Sequence, residues 1–276
     1  MADGVVISSM REASESMMDV RVADVKALFD THVNEGKVIV VVEGPDDMEV
    51  YGKLMRSEEV CFYVDSNCEK HFVILNALNG RYANRLLAIK DADFDRVEGT
   101  VHPYSNLVLT DTHDLEGMIV TECLPELQGE DADRCKSVFI SDIYAELTDI
   151  SYLKWFNHAN HCGINFSDTA LDVNVKSYFN ACVSNSGKAV SVTLADMYDF
   201  KNAHVGAPEK ELCNGHDILE RIYVRARAAK VSNYAKKPFF KRLRRAYPTD
   251  KFVHTDLFHS IKSWGEANGH AILTVA

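Results

Sequence analysis

Five consecutive β-branched residues, Val38-Ile39-Val40-Val41-Val42, constrain this chain more than any other stretch. A half-buried strand alternates apolar and polar side chains, because successive residues point to opposite faces of the sheet. An unbroken run instead predicts a strand buried on both faces, the situation of a parallel sheet covered by helices. Parallel neighbours need crossover connections of a dozen or more residues, usually helical. The flanking sequence has room for them. Val22, Val25, Leu28, Phe29 and Val33 recur at helical spacing before the run, and Asn34-Glu35-Gly36-Lys37 stops that helix, with Gly36 as its C-terminal cap.

After the run, Glu43-Gly44-Pro45-Asp46-Asp47 reads as a tight turn into a helix over 47–56. Val60 to Val64 is a second strand. Glu69 to Leu78 is a helix closed by Asn79-Gly80, and Leu86 to Ile89 is a third strand. Asn106 to Leu109 is a fourth, followed by a helix reaching about Cys123. Strand and helix alternate through this region, which predicts an α/β fold with a doubly wound, Rossmann-like parallel sheet.

Beyond about residue 130 the pattern turns helical. Cys135 to Leu147, Ser151 to His161, Glu209 to Lys230, Lys241 to Ala246 and Asp256 to Ala267 read as helices, while helix and strand are not separable over Val173 to Cys182. The expected division is an N-terminal lead-in and helix over 1–37, an α/β core over 38–128, and a mostly helical lobe over 129–276. The boundary lies near 125–132, where Pro125 and Gly129 meet acidic residues.

Ligands of open α/β sheets bind outside the C-terminal ends of the strands, and three of those ends carry acids. The first strand is followed by Glu43 and Asp47, the third by Asp91 and Asp93, and the fourth by Asp111, Asp114 and Glu116. Any one acid in a turn after a strand is commonplace. Three strand ends bearing acids together predict a site for a hard divalent cation, Mg²⁺ or Mn²⁺, which prefers oxygen ligands. Such ions activate water and stabilise the leaving oxygen in phosphodiester cleavage.

Other chemistries fail at named positions. An EF-hand loop beginning at Asp91 would need Gly where Arg96 stands and Glu where His102 stands. A haloacid-dehalogenase-type phosphatase carries Asp-x-Asp after its first strand with a small β-branched residue following, whereas here the motif follows the third strand and Phe94 comes next. Neither a phosphate-binding Gly-x-x-x-x-Gly-Lys-Ser/Thr loop nor a Gly-x-Gly-x-x-Gly turn occurs. His158, His161 and Cys162 have helical zinc-ligand spacing without a fourth ligand, and a helix end explains them.

Val40-Val41-Val42-Glu43-Gly44-Pro45-Asp46-Asp47, then Ile89-Lys90-Asp91-Ala92-Asp93, then Asp114-Leu115-Glu116, resemble the Toprim catalytic core. The order and the Asp-Leu-Glu continuation are most similar to the overcoming-lysogenization-defect (OLD) nucleases. More narrowly, the chain resembles the small Toprim-like nuclease subunit of PARIS-type anti-phage systems, and Asn214-Gly215-His216-Asp217 is similar to a motif of that family. The likeness covers roughly residues 38–125 and is weak in the helical half.

The resemblance implies that Glu43 is a metal ligand and general base, that Asp47, Asp91 and Asp93 hold metals, and that Glu116 completes a second position. Asp114 stands where the OLD pattern often has serine. The family's later lysine has no aligned counterpart; His216 is one candidate replacement, and a plain helix-start residue after Gly215 is the other reading. The resemblance further implies a metal-dependent endonuclease acting on RNA, tRNA among the candidates, or on DNA. It would be a toxic effector held in check by an ABC-like ATPase partner. A homodimer is compatible with it. A binding or scaffold subunit that keeps the fold without catalysis is the competing class.

Charge first argues against nucleic acid. The 276 residues hold 30 Lys+Arg against 41 Asp+Glu, a net charge of −11. The balance is not uniform. Residues 221–251 contain Arg221, Arg225, Arg227, Lys230, Lys236, Lys237, Lys241, Arg242, Arg244, Arg245 and Lys251, with Asp250 the one acid. Tyr223, Tyr234, Phe239, Phe240 and Tyr247 are interleaved with them. Cations with aromatics suit phosphate neutralisation and base stacking, and Arg225, Arg227, Lys236, Lys237, Lys241, Arg242, Arg244 and Arg245 are the candidate nucleic-acid contacts. A basic face for an acidic partner, with the aromatics as core, is the alternative. Seven scattered cysteines without Cys-x-x-Cys indicate reduced thiols, and Met1 to Arg11 has neither basic head nor apolar stretch. No run of residues is long and apolar enough to span a bilayer, so the expectation is a cytoplasmic protein without a membrane contact.

Overall fold

The structure, a computed structural model, describes residues 20–65, 71–123, 142–167, 169–187, 189–228, 230 and 235–275. The fold is α/β, with a four-stranded parallel sheet and a large helical share. The chain forms two compact units. One comprises Met1–Asp91, His102–Thr110 and Thr249–Ala276, the other Ala92–Val101 and Asp111–Pro248. The first is the sheet unit and the second the helical unit. This partition differs from the three consecutive segments expected from sequence. The expected boundary at 125–132 lies outside the described residues, as do the 1–19 lead-in and Cys68, Cys135 and Tyr234.

In the sheet unit the strands are β1 (Val38–Val42), β2 (Val60–Val64), β3 (Leu86–Lys90) and β4 (Leu107–Leu109), in the order β2-β1-β3-β4. β1 pairs in parallel with β2 from Val38↔Val60 to Val42↔Val64 and with β3 from Ile39↔Leu86, and β3 pairs with β4 from Ala88↔Leu107. All five β1 residues are buried, as the unbroken apolar run requires. Helix α1 (residues 20–30) and a 3-10 turn (His32–Asn34) lead into β1 through Gly36, whose φ of 82° is the left-handed conformation glycine tolerates.

Helix α2 (Pro45–Leu54) starts with its proline at N1, two residues earlier than expected. Helix α3 (His71–Tyr82) runs past Asn79-Gly80 instead of ending there. The reason is packing. Tyr82 stacks on Phe29 with ring centroids 4.0 Å apart, inside a core of Val25, Ile39, Val41, Ile74, Leu75 and Leu78. Burying that ring outweighs the roughly 1 kcal/mol that a glycine costs inside a helix. The sheet unit also takes back the end of the chain. Leu273 bridges Met55 in antiparallel fashion, and the Arg56 N–H donates to the Ile272 carbonyl at 2.8 Å.

The helical unit holds the short α4 (Asp95–Glu98), α5 (Leu115–Cys123), α6 (Ile143–Asn160), α7 (Val175–Asn185), α8 (Leu194–Ala203), the short α9 (Glu209–Leu212), α10 (Gly215–Ala228) and α11 (Lys236–Arg245). The short α12 (Thr249–Phe252) and α13 (Asp256–Asn268) belong to the sheet unit, where α13 packs on β4. The helical core gathers Phe94, Ile150, Leu153, Trp155, Phe156, Tyr178, Phe179, Met197 and Leu212.

The helical unit departs from the sequence reading at several elements, α11 among them, which starts at Lys236 where Lys241 was expected, and it resolves one stretch left open. The break expected near residues 148–150 is bridged by one continuous α6, because Ile150 and Ser151 are buried in this core. The ambiguous Val173–Cys182 stretch is helix α7, capped by Asn174, whose side chain accepts the Ser177 N–H at 3.0 Å. Glu209 to Lys230 is two helices, because Cys213 is extended and Asn214 caps the second. Helix α8 was not anticipated, although Thr193-x-x-Asp196 carries its capping box: the Thr193 N–H donates to Asp196 Oδ2 at 2.7 Å. Among the described residues no helix is long and apolar enough to cross a membrane.

Candidate metal centre

The C-terminal edge of the sheet places side chains in strand order. Asp65 follows β2, Glu43 follows β1, Asp91 follows β3 and Thr110 follows β4. Parallel pairing puts all four strand ends on one edge, and continuing the β1–β3 register sets Glu43 opposite Lys90, one residue before Asp91. The Asp91 N–H donates to Glu43 Oε1 at 3.0 Å. That bond fixes one carboxylate oxygen and leaves Glu43 half-buried. Asp47, at the third position of α2, accepts the Gly44 N–H at 2.7 Å, so it caps the helix that Gly44-Pro45 begins.

Two residues at this edge escaped the sequence reading. Lys90 is only 6% exposed at the end of β3, with Nζ donating to the Asp91 carbonyl at 2.7 Å. The signal was a lone lysine in an apolar strand. Asp65 is buried, with Arg21 Nε 3.4 Å from its Oδ1. It follows Val64 as Glu43 follows Val42.

The helical unit holds the remaining acids. Asp93 has φ 47°, a left-handed conformation uncommon outside glycine, and its N–H donates to the His113 carbonyl at 2.6 Å. His113 is buried against Phe94, and burial holds its imidazole below the ordinary range despite the nearby Asp93 charge.

Asp114 precedes α5. Its Oδ1 accepts the Gly117 N–H and its Oδ2 the Gly215 N–H, both at 2.7 Å. Burial above all, and then the Glu116 charge, pushes its carboxyl up to about 8, against the pull of those two N–H groups. Asp114, expected from the sequence as a metal ligand, lies between two backbone donors. It is an internal tie between the starts of α5 and α10, with each oxygen already accepting a backbone donor. Gly215 makes the tie possible, because a Cβ there would overlap Asp114 Oδ1 and the Gly117 nitrogen.

Glu116 is also buried, with Oε1 2.8 Å from the Arg244 guanidinium and Oε2 4.0 Å from His216 Nε2. His216 itself is solvent-facing. Asp217, next in the Asn-Gly-His-Asp stretch, pairs with Lys154 at 2.5 Å. That stretch therefore caps a helix, admits a close approach and forms an ion pair.

The basic segment divides in the same way. Arg244, expected as a nucleic-acid contact, is buried against Glu116. Arg221 and Arg225 both hold Glu146 at 2.6 Å, and Lys236 pairs with Glu220. Arg227, Lys237, Lys241, Arg242 and Arg245 remain exposed. The aromatics follow the alternative reading: Phe239, Phe240 and Tyr247 are buried, and Tyr223 packs on both phenylalanines. They hold α11 in place and present no stacking platform.

His161 ends α6 in the left-handed conformation, as a helix-end residue. The described thiols Cys61, Cys162, Cys182 and Cys213 are unpaired, and burial raises all four, Cys213 to about 11. Thiols so protonated are poor nucleophiles.

The donor chemistry at the sheet edge fits a hard divalent ion, since Glu43, Asp47 and Asp91 offer carboxylate oxygen alone. Among the described residues no three His, Cys, Asp or Glu side chains converge as a ready-made metal cage. Mg²⁺ does not need one. It keeps several waters and takes one or two carboxylates together with substrate phosphate oxygens. No family model and no curated protein matches the chain.

Proposed function

We propose that this protein is a metal-dependent nuclease, an effector of anti-phage defence restrained by an ABC-like ATPase partner. The observation that carries the reading is the Glu43–Asp91 pair, two acids on adjoining ends of parallel strands with a backbone N–H of one fixing the carboxylate of the other. Sheet edges of this kind are where α/β proteins place ligands. The Toprim-like order of Glu43-Gly44, Asp91-x-Asp93 and Asp114-Leu115-Glu116 supports the same reading.

Bound Mg²⁺ or Mn²⁺ would supply charge neutralisation at the phosphodiester and acidify the attacking water. Glu43, oriented by the Asp91 N–H, is the general base and a ligand. Asp91 is the second ligand at the edge, and Asp47 steadies the Gly44 turn through its cap while offering its carboxylate. Asp93, Glu116 and His216, to which the resemblance gives metal-holding and proton-transfer roles, lie in the helical unit. Lys237, Lys241, Arg242 and Arg245 bind the phosphate backbone.

The test is expression of wild type and Glu43→Ala in cells, followed by sequencing of RNA and DNA ends. New 5′ ends in wild-type cells that vanish in Glu43→Ala are expected; the same cuts in both would remove the assignment. Co-expression of the ATPase partner is expected to suppress the cuts.

A second reading is favoured by one observation. Both Asp114 oxygens and Glu116 Oε1 are engaged by protein donors, as in a fold kept for binding without catalysis. Calorimetric titration separates the two. Heat on addition of Mn²⁺, lost in the Glu43→Ala Asp91→Ala double variant, supports the nuclease; silence in both proteins favours the scaffold.

A further inference from the structure

We propose that Arg244 is a positioning residue for Glu116, fixing which carboxylate oxygen is presented for chemistry; this rests on the reading of the chain as a metal-dependent nuclease. Glu116 is constrained at both ends. At its base, Gly215 approaches so closely that a Cβ on that glycine would lie 2.6 Å from Glu116 Cβ. At its tip, Arg244 reaches Oε1 at 2.8 Å, from a helix 128 residues away in sequence. The Arg244 and Glu116 side chains are 9% and 6% exposed.

A carboxylate this deeply buried needs a compensating partner to stay charged. The guanidinium supplies it through one contact, Nη2 to Oε1, from a planar group whose donors have fixed directions where an ammonium would act as a point charge. With Oε1 committed to Arg244, Oε2 is the oxygen on the side of His216, whose own side chain is 65% exposed. Glu116 is thus held as a one-oxygen donor. Arg244 lies in the last turn of α11, so it uses the inner side of the helix whose outer side carries Lys237, Lys241 and Arg245. One helix then has two separable tasks, orienting an acid within and holding phosphate without.

The experiment compares Arg244→Met, Arg244→Lys and Arg244→Ala with wild type in three measurements: thermal unfolding, Mn²⁺ binding by electron paramagnetic resonance, and kcat and KM on an oligonucleotide that wild type cleaves. Outer partners of metal ligands are worth about 10- to 100-fold in affinity or rate. Arg244→Met is expected to weaken Mn²⁺ binding and lower kcat by about that factor, with KM within about twofold because the outer cations are untouched. Arg244→Lys, which keeps the charge and loses the fork, is expected to fall in between. Methylguanidinium is expected to restore kcat in Arg244→Ala without restoring its melting temperature.

Folded Arg244→Met and Arg244→Lys proteins with wild-type Mn²⁺ affinity and kcat would overturn the proposal. Losses that follow melting temperature and resist methylguanidinium would also overturn it, leaving a purely structural ion pair. Should wild type bind Mn²⁺ and cleave nothing, the nuclease reading falls and Arg244 is judged on Mn²⁺ affinity alone. Should it neither bind nor cleave, both fall.

Discussion

Asp114 and Gly215 form the most demanding contact among single residues. The Gly215 N–H reaches Asp114 Oδ2 at 2.7 Å only because glycine lacks the Cβ that would overlap the same carboxylate. Gly215→Ala is expected to destabilise the protein by about 1–3 kcal/mol or more, the range for overpacking a rigid interior. Gly52, in the last turn of α2 with open space around it, is the control. Gly52→Ala is expected to be neutral or to stabilise by about 0.5–1 kcal/mol. Chemical denaturation of both variants checks the pair, and equal effects would show that the close approach is not what matters. Asp114 adds a pH signature. Its folded carboxyl is pushed up to about 8, well above the ordinary carboxylate range, mainly by burial. Folding therefore favours its protonated form. The stability it contributes is fully present below about pH 4 and is lost as pH rises through about 8. Melting temperature measured from pH 5 to pH 9 is expected to fall more steeply in wild type than in Asp114→Ala. Parallel curves would place the titration elsewhere.

Helix α11 shows what could and could not be read from sequence at the scale of an element. Its cations were visible, and so was their interleaving with aromatics. The division into an outer face and an inner Arg244 was not, because the partner that buries Arg244 lies 128 residues away and no local periodicity encodes it. The same limit explains α3, carried past Asn79-Gly80 by a ring stack with Phe29. β1 was legible because an unbroken apolar run has a single economical burial, whereas the end of a helix is decided by tertiary contacts. Glu43 and Asp91 were legible for a related reason: once a strand is placed, its C-terminal neighbour is placed too. Two variants test the reading of α11. Each phosphate contact adds about 0.7–0.9 to the slope of log affinity against log salt. Lys237→Ala and Lys241→Ala are each expected to reduce that slope on single-stranded RNA by about 0.7 while sparing stability. Phe240→Ala is expected to destabilise by about 3–5 kcal/mol, as for a core ring. A folded Phe240→Ala protein that binds RNA poorly would instead restore the stacking interpretation.

Charge is the property that changes meaning on the scale of the whole molecule. The net −11 argued against nucleic acid, and the run from 221 to 251 argued for it. Neither sum is what a ligand meets, since Arg221, Arg225, Lys236 and Arg244 of that run are taken by Glu146, Glu220 and Glu116. What remains outward is a short cationic strip on α11 and the end of α10, set on an otherwise acidic protein. Acids at strand ends and cations on a helix are different resources, and chelation separates them. The sheet core is made of β1 and β3 residues buried without a charge except Lys90, so its folding does not depend on an ion at its edge. Structural metal sites behave otherwise, because their binding energy is folding energy. EDTA is therefore expected to abolish cleavage while shifting the melting temperature by less than about 2 °C, about 1 kcal/mol for a protein of this size. RNA affinity through α11 is expected to persist in EDTA, with its salt dependence intact. Cleavage that survives the chelator would remove the metal from the chemistry. Unfolding by the chelator would move the ion from catalysis to structure, and the carboxylates at the sheet edge would then be understood as a clasp for the strands.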